Sequence, residues 1–401
     1  MKDEKKAPKL RFKGFTDDWE QCKLRDVFVE RNQKTVADEN YPLCSFIAHK
    51  GVVPKTKYDR SFLVKSDDKK YKRTELNDFI YSSNNLETGS IGLNKFGNAT
   101  ISPVYSVFMV NGNSDFIAGL ATTHRFIYEM IRFRQGVVYG QWRIHESDFL
   151  KIKYYIPQVL EQEKIGNLLS ELDRIITLHE EKKRQLERLK SALLQKMFAE
   201  KQGYPVVRFK GFCDEWQGTK LGKVSKIVRG ASPRPISDPK WFDNDSNVGW
   251  LRISDVTSQD GRIHHLEQHI SKQGQAKTRV ISEPHLLLSI AATVGKPLIN
   301  YVKTGVHDGF LIFIEPHFDL EFMFQWLEMF RPQWSKYGQP GSQINLNSDL
   351  VKNQIIYLPS REEQNQIGIF FNQIDSLINL HQQKINNINS VKKSLLQKMF
   401  I

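Results

Sequence analysis

The feature that most constrains this chain is an internal repeat. Residues 10–24 read LRFKGFTDDWEQCKL, and residues 207–221 read VRFKGFCDEWQGTKL. The two segments align without a gap and share an Arg-Phe-Lys-Gly-Phe run, an aspartate, a tryptophan and a final Lys-Leu. Such a match predicts that the 401 residues form two related units.

A second repeated pair closes each unit. Residues 156–198 begin with Ile-Pro and end with Gln-Lys-Met-Phe, and residues 358–400 begin with Leu-Pro and end with the same run. Between the opening and closing segments the two copies have nearly equal lengths, yet their sequences diverge. A divergent middle within a common frame indicates that each copy contacts something different.

Each closing segment is predicted to form one long helix. A proline stands at its start, and no glycine or proline follows Gly166 or Gly368 before its end. Apolar residues recur with a seven-residue period, which favours a coiled coil. One seam position is predicted to hold Ile165, Leu172, Leu186 and Leu193, with Ile367, Ile374, Ile388 and Leu395 in the second copy; the other is predicted to hold Leu168, Ile175 and Leu189, with Phe370, Leu377 and Val391.

The two helices most simply pack antiparallel and act as a rigid spacer. About 35 residues at about 1.5 Å each span roughly 50 Å, which is on the scale of the roughly 34–36 Å between successive major-groove faces of DNA. One polar layer interrupts both seams, with His179 and Lys182 in the first helix and His381 and Lys384 in the second. These residues either fix the register of the coiled coil or point to solvent where the ends separate. The helices could also dock another protein, and the two roles can coexist.

The predicted fold class is α+β, with two tandem recognition domains built of small mixed β-sheets and helices. Runs rich in β-branched and apolar residues predict strands over 100–110, 286–291 and 310–314, and helices are predicted over 117–132 and 318–330. The two long helices join and separate the recognition domains with pseudo-two-fold symmetry. The predicted domains are 1–157 and 201–358 for recognition, and 158–200 and 359–401 for the helical spacers.

The loops of the variable regions are rich in side chains that can contact DNA. Arginine or lysine pairs with guanine, and asparagine or glutamine with adenine, through two hydrogen bonds in the major groove; lysine, serine and threonine suit phosphates. Any one of these residues beside a glycine is more often a turn residue. The candidates are Asn84, Asn85, Thr88, Lys95, Arg125, Gln141 and Arg143 in the first unit, and Arg229, Ser232, Arg234, Arg252, Thr293, Lys296, Gln339, Ser342, Gln343 and Asn345 in the second.

Composition narrows the class of partner and the compartment. The formal net charge is +13, which favours a polyanionic partner without identifying one. The three cysteines show no Cys-x-x-Cys spacing, so neither a disulfide scaffold nor a zinc site is expected. No apolar stretch is long enough for a membrane helix, and the amino terminus lacks an apolar signal core. We therefore expect a cytoplasmic protein.

The sequence offers no recognisable catalytic motif. A Walker A run, Gly-x-Gly-x-x-Gly, His-Glu-x-x-His and Gly-x-Ser-x-Gly are all missing. Asp148 with Glu161, Glu163 and Lys164 is faintly similar to a nuclease cluster, but the other copy, Glu363-Gln-Asn-Gln, has no such lysine. A coiled-coil adaptor that reads no DNA is the main alternative to a DNA reader.

The whole chain resembles the specificity subunit of type I restriction–modification enzymes. The resemblance rests on the repeated Arg-Phe-Lys-Gly-Phe…Trp opening, the Pro…Gln…Ile-Gly helix starts and the Leu-Leu-Gln-Lys-Met-Phe helix ends. In the second unit, Arg-Gly-Ala-Ser-Pro-Arg-Pro, Val-His-Asp-Gly-Phe and Gly-Ser-Gln-Ile-Asn-Leu also fit the family. The first unit has Gly-Gln-Trp-Arg-Ile where the last of these would stand, so its base contacts should differ.

The resemblance implies a non-catalytic subunit that reads a bipartite, asymmetric double-stranded DNA target, one half-site per recognition domain. It further implies two modification subunits that methylate adenine with S-adenosylmethionine, and restriction subunits that use ATP and Mg²⁺. On this expectation the chain itself binds no cofactor and no metal. Because adenine methylation requires the base to leave the stack, that step falls to the partner.

Overall fold

The chain folds into two compact units, each of which takes residues from both long helices. The computed structural model describes residues 6–55, 69–137, 141–199, 203–290, 293–337 and 346–401. The first unit comprises Met1–Glu180 with Gln383–Ile401, and the second comprises Glu181–Gln382.

The first unit begins with short strands and ends in a long helix. Its strands are β1 (Glu20–Lys23), β2 (Phe28–Glu30), β3 (Lys34–Thr35), β4 (Cys44–Ile47), β5 (Gly51–Pro54), β6 (Tyr71–Thr74), β7 (Phe79–Tyr81), β8 (Ile91–Leu93), β9 (Ala99–Ile101), β10 (Ser106–Val110), β11 (Gln135–Val137), β12 (Gln141–Arg143) and β13 (Lys153–Ile156). Its helices are α1 (Ser114–Ala121), α2 (His124–Ile131), α3 (Glu146–Phe149) and the first part of α4 (Val159–Met197).

A four-stranded antiparallel sheet, in the order β2-β10-β7-β8, carries the core of the first unit. A three-stranded sheet, β3-β6-β9, and the pairs β4-β5, β11-β12 and β1-β13 complete it. Phe28, Phe79, Tyr81, Phe108 and Phe149 are buried together, and the rings of Phe108 and Phe149 lie 4.7 Å apart. These side chains come from three strands and α3, so their burial joins the sheet to the helical part of the unit.

The second unit repeats this plan with larger sheets. Its strands are β14 (Gln217–Lys220), β15 (Lys226–Arg229), β16 (Gly249–Leu251), β17 (Arg262–Ile263), β18 (Arg279–Ile281), β19 (Leu286–Ser289), β20 (Pro297–Asn300), β21 (Thr304–Val306), β22 (Phe310–Ile314) and β23 (Ile355–Leu358). Its helices are α5 (Leu221–Val224), α6 (Ile253–Ser258), α7 (Lys272–Gln275), α8 (Leu320–Phe330), α9 (Ser348–Asn353) and the first part of α10 (Arg361–Met399), together with the end of α4.

A five-stranded sheet, β15-β22-β19-β20-β17, forms the centre of the second unit, and only its β17-β20 pair is parallel. A three-stranded sheet, β16-β21-β18, lies beside it, and β14 pairs with β23. The apolar run Leu286–Ser289 is buried on both faces, as expected for a central strand.

The repeated opening segment has the same function in both units, which is to clamp the start of a long helix. Arg11 donates two hydrogen bonds to Glu161, at 2.8 and 2.7 Å, and Arg208 donates two to Glu363, at 2.7 and 2.8 Å. Both carboxylates are buried. A buried bidentate pair is stable only when both partners are present, which explains why the arginine occurs in both copies.

The repeated helix ends also fill equivalent places. Phe400 lies 5.2 Å from Phe116, ring to ring, and 6.3 Å from Trp19 in the first unit. Phe198 lies 5.2 Å from Phe322 in the second unit, where the matching tryptophan also packs. Each helix therefore ends inside the core of one unit.

A glycine near the start of each long helix allows a short helix of the same unit, α1 or α8, to pack closely against it. A Cβ on Gly166 would lie 2.2 Å from Oδ1 of Asn113, the residue that caps α1, and a Cβ on Gly368 would lie 2.8 Å from Oδ1 of Asp319, which caps α8. In both units the helix rests on this close contact, so the glycine is needed for space rather than for an unusual backbone angle.

The predicted long helices are confirmed, and within each unit they run antiparallel. In the second unit Lys183 donates to Oε1 of Gln382 at 2.9 Å, and one heptad further Lys190 pairs with Asp375 at 2.5 Å. Residue number rises along one helix as it falls along the other. Each helix has 39 residues, and its axis is about 58 Å long at about 1.5 Å per residue.

The coiled-coil seam consists of two heptad series, of which the first is as predicted and the second is shifted by one residue. The series that begins at Ile165 and Ile367 faces inward as predicted, but the other series begins four residues later, at Leu169 and Phe371, rather than three. The inward second series is Leu169, Ile176, Lys183, Lys190 and Met197 in α4, and Phe371, Ile378, Ile385, Lys392 and Met399 in α10. Of the predicted second series, Leu189, Leu377 and Val391 are 50%, 46% and 51% exposed. Leu168, Ile175 and Phe370 are half-buried, and Leu168 and Phe370 pack against the core of their unit.

The predicted polar layer is confirmed for its two histidines and wrong for its two lysines. His179 and His381 are half-buried on the inward series, whereas Lys182 and Lys384 are exposed and lie outside it. Lysines do occur in the seam, but at Lys183, Lys190 and Lys392, where a polar partner takes the ammonium group.

Two predicted elements of the first domain are each divided. The strand predicted over 100–110 breaks after Ile101, because Ser102–Tyr105 form a turn closed by a 3.2 Å backbone hydrogen bond. The helix predicted over 117–132 is two helices, since Thr123 caps the start of α2 through its side chain. The strands predicted near 286–291 and 310–314 and the helix predicted near 318–330 are confirmed as β19, β22 and α8, and the fold class is α+β.

Candidate nucleic-acid interface

In the first unit, the loop after β7 meets the hairpin strand β12. The backbone N–H of Trp142 donates to Oδ1 of Asn84 at 2.6 Å, and that of Ile144 donates to Oγ of Ser83 at 3.0 Å. Gln141, Trp142 and Arg143 are all exposed. The structure thus brings together three predicted candidates, Asn84, Gln141 and Arg143, on one surface, which we call the hairpin surface.

Asn85 and Thr88 lie in the same loop, but part of their bonding is internal. The carbonyl of Asn85 accepts from the Thr88 hydroxyl at 3.1 Å and from the Ser90 N–H at 2.9 Å. Both side chains are exposed. They shape the turn, as the alternative interpretation of such residues expects, and they remain candidates for contact.

A buried ionic group lies behind the hairpin surface. Glu146 accepts from the ammonium of Lys72 at 3.2 Å and from the hydroxyl of Ser106 at 3.0 Å, while a guanidinium nitrogen of Arg143 lies 3.7 Å away. Burial acts to raise the pKa of Glu146, but its own backbone N–H, Lys72 and Ser106 outweigh burial and lower it. A charged carboxylate therefore stands behind the exposed arginine.

The other first-unit candidates lie elsewhere. Lys95 pairs with Asp115 at the start of α1, at 2.8 Å, and also donates to Asn77. Arg125 is exposed on α2 and lines a small cleft with Lys153 and Tyr154. The structure gives neither residue a contact with the hairpin surface.

In the second unit, three candidates converge on one residue, Asp308. Ser232 donates to Oδ1 of Asp308 at 2.8 Å, and Arg234 pairs with Oδ2 at 2.5 Å. Arg229 donates through Nε to the backbone carbonyl of Asp308 at 2.6 Å. We call these four residues the Asp308 cluster.

Backbone contacts fix the two segments that form the Asp308 cluster. The N–H of Gly230 donates to the carbonyl of Phe310 at 2.9 Å, and that of Ala231 donates to the carbonyl of Val306 at 3.0 Å. A Cβ on Gly230 would lie 2.1 Å from the carbonyl oxygen of His307. Only glycine permits this approach, so the segment after β15 lies directly against the turn between β21 and β22.

An open groove of about 780 Å³ adjoins the Asp308 cluster. Its apolar wall includes Trp250 and Phe242, and its polar rim includes Arg252, Gln268 and His307. Arg252 is held by Asp255 at 3.1 Å and Glu267 at 3.0 Å. A fourth candidate therefore lines the groove that adjoins the cluster.

His307 connects the groove to the Asp308 cluster. Its Nδ1 accepts from the N–H of Gly309 at 2.8 Å, and its ring lies 5.8 Å from that of Trp250. Burial lowers the pKa of His307, and Arg234 and Arg229 act in the same direction. The imidazole is therefore neutral near pH 7 and leaves the arginines as the cations of this surface.

The remaining second-unit candidates are Lys296 and Thr293, which the structure describes, and four residues that it does not describe. Lys296 is 14% exposed and pairs with Glu328 at 2.6 Å and Asp260 at 3.4 Å, and its N–H donates to the carbonyl of Thr293. Its charge is used within the fold, so Lys296 is poorly placed for a phosphate contact. Gln339, Ser342, Gln343 and Asn345 lie outside the described residues.

Both surfaces present hydrogen-bond donors to solvent. Among the residues that the structure describes, no group of three or more His, Cys, Asp or Glu side chains could hold a metal ion. In the same part of the chain, no helix is both long enough and apolar enough to cross a membrane. Guanidinium, amide and hydroxyl groups on a solvent-facing surface suit the recognition of base edges and phosphates.

The family match covers both units. Residues 16–188 and 213–390 match the family model of the type I restriction modification DNA specificity domain. The chain belongs to this family. It contains two specificity domains, which we number first and second in chain order.

Named relatives agree with the family. The type I restriction enzyme MjaVIII specificity subunit of Methanocaldococcus jannaschii is 24% identical over 271 residues, which is 63% of this chain and 62% of the relative. The "Putative type I restriction enzyme MjaX specificity subunit" of the same organism is 22% identical over 405 residues, covering 95% of this chain and 92% of the relative. The chain thus spans under two thirds of the first relative and nearly all of the second.

Solved structures share the fold. The S subunit of a type I restriction–modification system from M. genitalium superposes with a TM-score of 0.62 at 13% identity, covering 98% of this chain and 99% of that one. A chain from a structure on complex assembly and conformational transition of the type I R-M system gives a TM-score of 0.55 at 17% identity, covering 95% and 97%.

The sequence analysis did not identify the carboxylate that contacts the candidate donors in each specificity domain. Asp308 occurs in the Val-His-Asp-Gly-Phe string that supports the resemblance, and Glu146 follows shortly after Arg143, yet neither was a candidate. Donors that can read bases are identified from residue type alone. The carboxylate that binds them is identified only from the folded structure, because it comes from a distant segment of the chain. An acidic residue in an otherwise basic, glycine-rich string is the signal that was available.

Proposed function

We propose that this chain is the DNA-specificity subunit of a type I restriction–modification complex and reads a bipartite, asymmetric double-stranded target. Each specificity domain reads one half-site. The observation that carries the proposal is that two similarly clamped domains present different donor sets. The hairpin surface offers Asn84, Gln141 and Arg143, and the second domain offers the Asp308 cluster with Arg252.

The proposal includes a scaffolding function. The helices would hold the two domains at a fixed separation along the duplex and bind two modification subunits, joined by restriction subunits. An exposed apolar stripe on α10 supports docking of a protein: Ile369, Leu377 and Leu380 are 50%, 46% and 44% exposed. Removing or inserting a heptad in the helices should change the half-site spacing or abolish binding.

The proposal assigns the chemistry to the partners. S-adenosylmethionine, ATP and Mg²⁺ would be bound by the modification and restriction subunits, and this chain would bind none of them. The complex would act in the cytoplasm, where its DNA lies. The purified chain alone is expected neither to cut nor to methylate DNA.

Mapping of methylated adenines tests the function directly. Genomes of the host with and without this gene should differ by one bipartite motif, methylated in both halves. Loss of methylation at that motif alone would support the proposal, and unchanged methylation would contradict it.

Sequence preference at several salt concentrations separates a DNA reader from a coiled-coil adaptor. Phosphate contacts make the logarithmic affinity of either protein fall with the logarithm of salt concentration, with a slope of about −0.9 per neutralised phosphate. An adaptor with this net charge would bind every duplex equally, so fluorescence anisotropy on the motif found by methylation mapping and on a scrambled duplex decides between the two.

A further inference from the structure

We propose that Asp308 is a positioning residue that orients Arg234 to read one base pair of the second half-site. The inference rests on the proposed function and adds to it a specific residue and a specific base. It starts from the geometry of the Asp308 cluster, in which one carboxylate joins Ser232 and Arg234 through its two oxygens.

A carboxylate on a DNA-binding surface needs an explanation. It repels phosphates, so it weakens the sequence-independent attraction that a basic protein gains from the duplex. Its ion pair with Arg234 adds little to folding, because the Arg234 side chain is 72% exposed. The hydrogen bond from Ser232 anchors one carboxylate oxygen, and orientation of the arginine is the benefit that remains for the other.

Asp308 is itself held firmly. Its backbone N–H donates to the Ser232 hydroxyl at 3.2 Å, and its carbonyl accepts from Arg229 at 2.6 Å. The carbonyl of Arg229 in turn accepts from Arg279 at 2.8 Å. Since Gly230 also lies against the His307 carbonyl, the carboxylate has a fixed position relative to β15 and β22.

The charge on Asp308 is maintained as well. Its partial burial acts to raise its pKa, but Ser232, His307 and the two arginines outweigh burial and lower it. The carboxylate is therefore ionised at neutral pH and attracts the guanidinium in the absence of DNA.

Arg234, although bonded to Asp308, still has N–H groups that can donate to a ligand. A guanidinium has five N–H donors, and the structure uses Nη2 of Arg234 on Asp308 while most of the side chain faces solvent. An arginine with its torsions already fixed loses less entropy when it forms the bidentate pair with O6 and N7 of guanine, the commonest specific arginine contact. The assigned base is therefore a guanine.

The test uses the full-length chain, with its modification subunit co-purified, and a pool of randomised DNA duplexes. Bound duplexes are sequenced for wild type, Arg234→Ala and Asp308→Ala, and affinity for one unrelated duplex is measured in parallel. Both variants should lose preference for guanine at the same single base pair, by about 5- to 150-fold, which is the worth of one bidentate contact. Asp308→Ala should bind the unrelated duplex as tightly as wild type or more tightly, because a negative charge has been removed.

Asp349→Ala is the matched control. It removes the same charge from the same unit, on a side chain that is 82% exposed and whose ion-pair partner, within the part of the chain that the structure describes, is Lys352. It should leave every base preference unchanged. Arg234→Lys provides a second measurement, since lysine keeps the charge but lacks the planar fork; it should weaken the same guanine preference at an unchanged salt slope.

Several results would overturn the inference. If Asp308→Ala tightened binding to all duplexes equally and kept every preference, Asp308 would act only by repulsion. If Asp308→Ala failed to fold, retention of the guanine preference by Arg234→Ala would still contradict the inference. Selection of two sequence blocks by wild type, with both variants unchanged, would overturn this inference alone, whereas selection of no sequence would overturn the proposed function and the inference together.

Discussion

Two aspartates at equivalent positions of the repeat provide a paired test of how burial sets the value of an ion pair. Asp375 is 4% exposed and accepts from Lys190 at 2.5 Å, Gln325 at 2.8 Å and Arg262 at 3.1 Å. Asp173, its counterpart in the first unit, pairs with Lys392 at 2.5 Å but is 56% exposed. The residue type and the lysine partner are the same, and only the surroundings differ.

Replacing each aspartate by alanine should therefore have unequal effects. Asp375→Ala leaves buried cations without a partner, which costs about 3–5 kcal/mol; because Arg262 keeps Glu321 at 2.6 Å, we expect about 3 kcal/mol, the lower end of that range. Asp173→Ala removes an exposed pair and should cost about 0–1 kcal/mol.

Urea unfolding followed by circular dichroism measures both values. With a slope of about 1–3 kcal/mol per molar urea, Asp375→Ala should lower the midpoint of the transition that involves the second unit by about 1–3 M, and Asp173→Ala should shift its midpoint far less. Equal shifts, or a larger shift for Asp173→Ala, would refute the argument that burial sets the difference.

Three further outcomes are expected. Gly166→Ala should lower the unfolding free energy by about 1–3 kcal/mol despite the better helix propensity of alanine, because its Cβ would strike Asn113; thermal unfolding that shows stabilisation would contradict this. The pKa of His307 is lowered by burial, so the unfolded state takes up the proton first and stability should fall as pH drops below about 6.5; His307→Asn should flatten that slope in unfolding measured from pH 5 to 8. Lys296→Ala should reduce stability and leave base preference unchanged, unlike Arg234→Ala; an altered preference in duplex selection would show that Lys296 reads DNA.

The frame of the molecule could be predicted because its signals are local or repeated. The gapless repeat indicates two units, and the seven-residue period with a proline start indicates two long helices. The seam could not be assigned fully, since residues both three and four positions after Ile165 are apolar and the true series then continues through Lys183 and Lys190. A lysine pattern is normally evidence of an exposed face, and the partners that accept these ammonium groups lie on the other helix.

The surfaces could be predicted only in part, because their members meet over long sequence distances. Arg229, Ser232 and Arg234 are close in sequence and were found as one string, but Asp308 reaches them only through the pairing of β15 with β22. Asn84 accepts from the backbone N–H of Trp142, 58 positions away, and so lies beside Gln141 and Arg143. No spacing rule contains such contacts. The same absence of long-range information hides the partners of Lys296, which are Glu328 in α8 and Asp260 in the turn before β17.

Hydroxyl-radical footprinting of the bound target tests the central claim most directly. The account predicts two separate protected blocks, with Arg143→Ala weakening protection of one block and Arg229→Ala weakening protection of the other. A single continuous block, or equal fading of both blocks in either variant, would contradict the assignment of one half-site to each specificity domain.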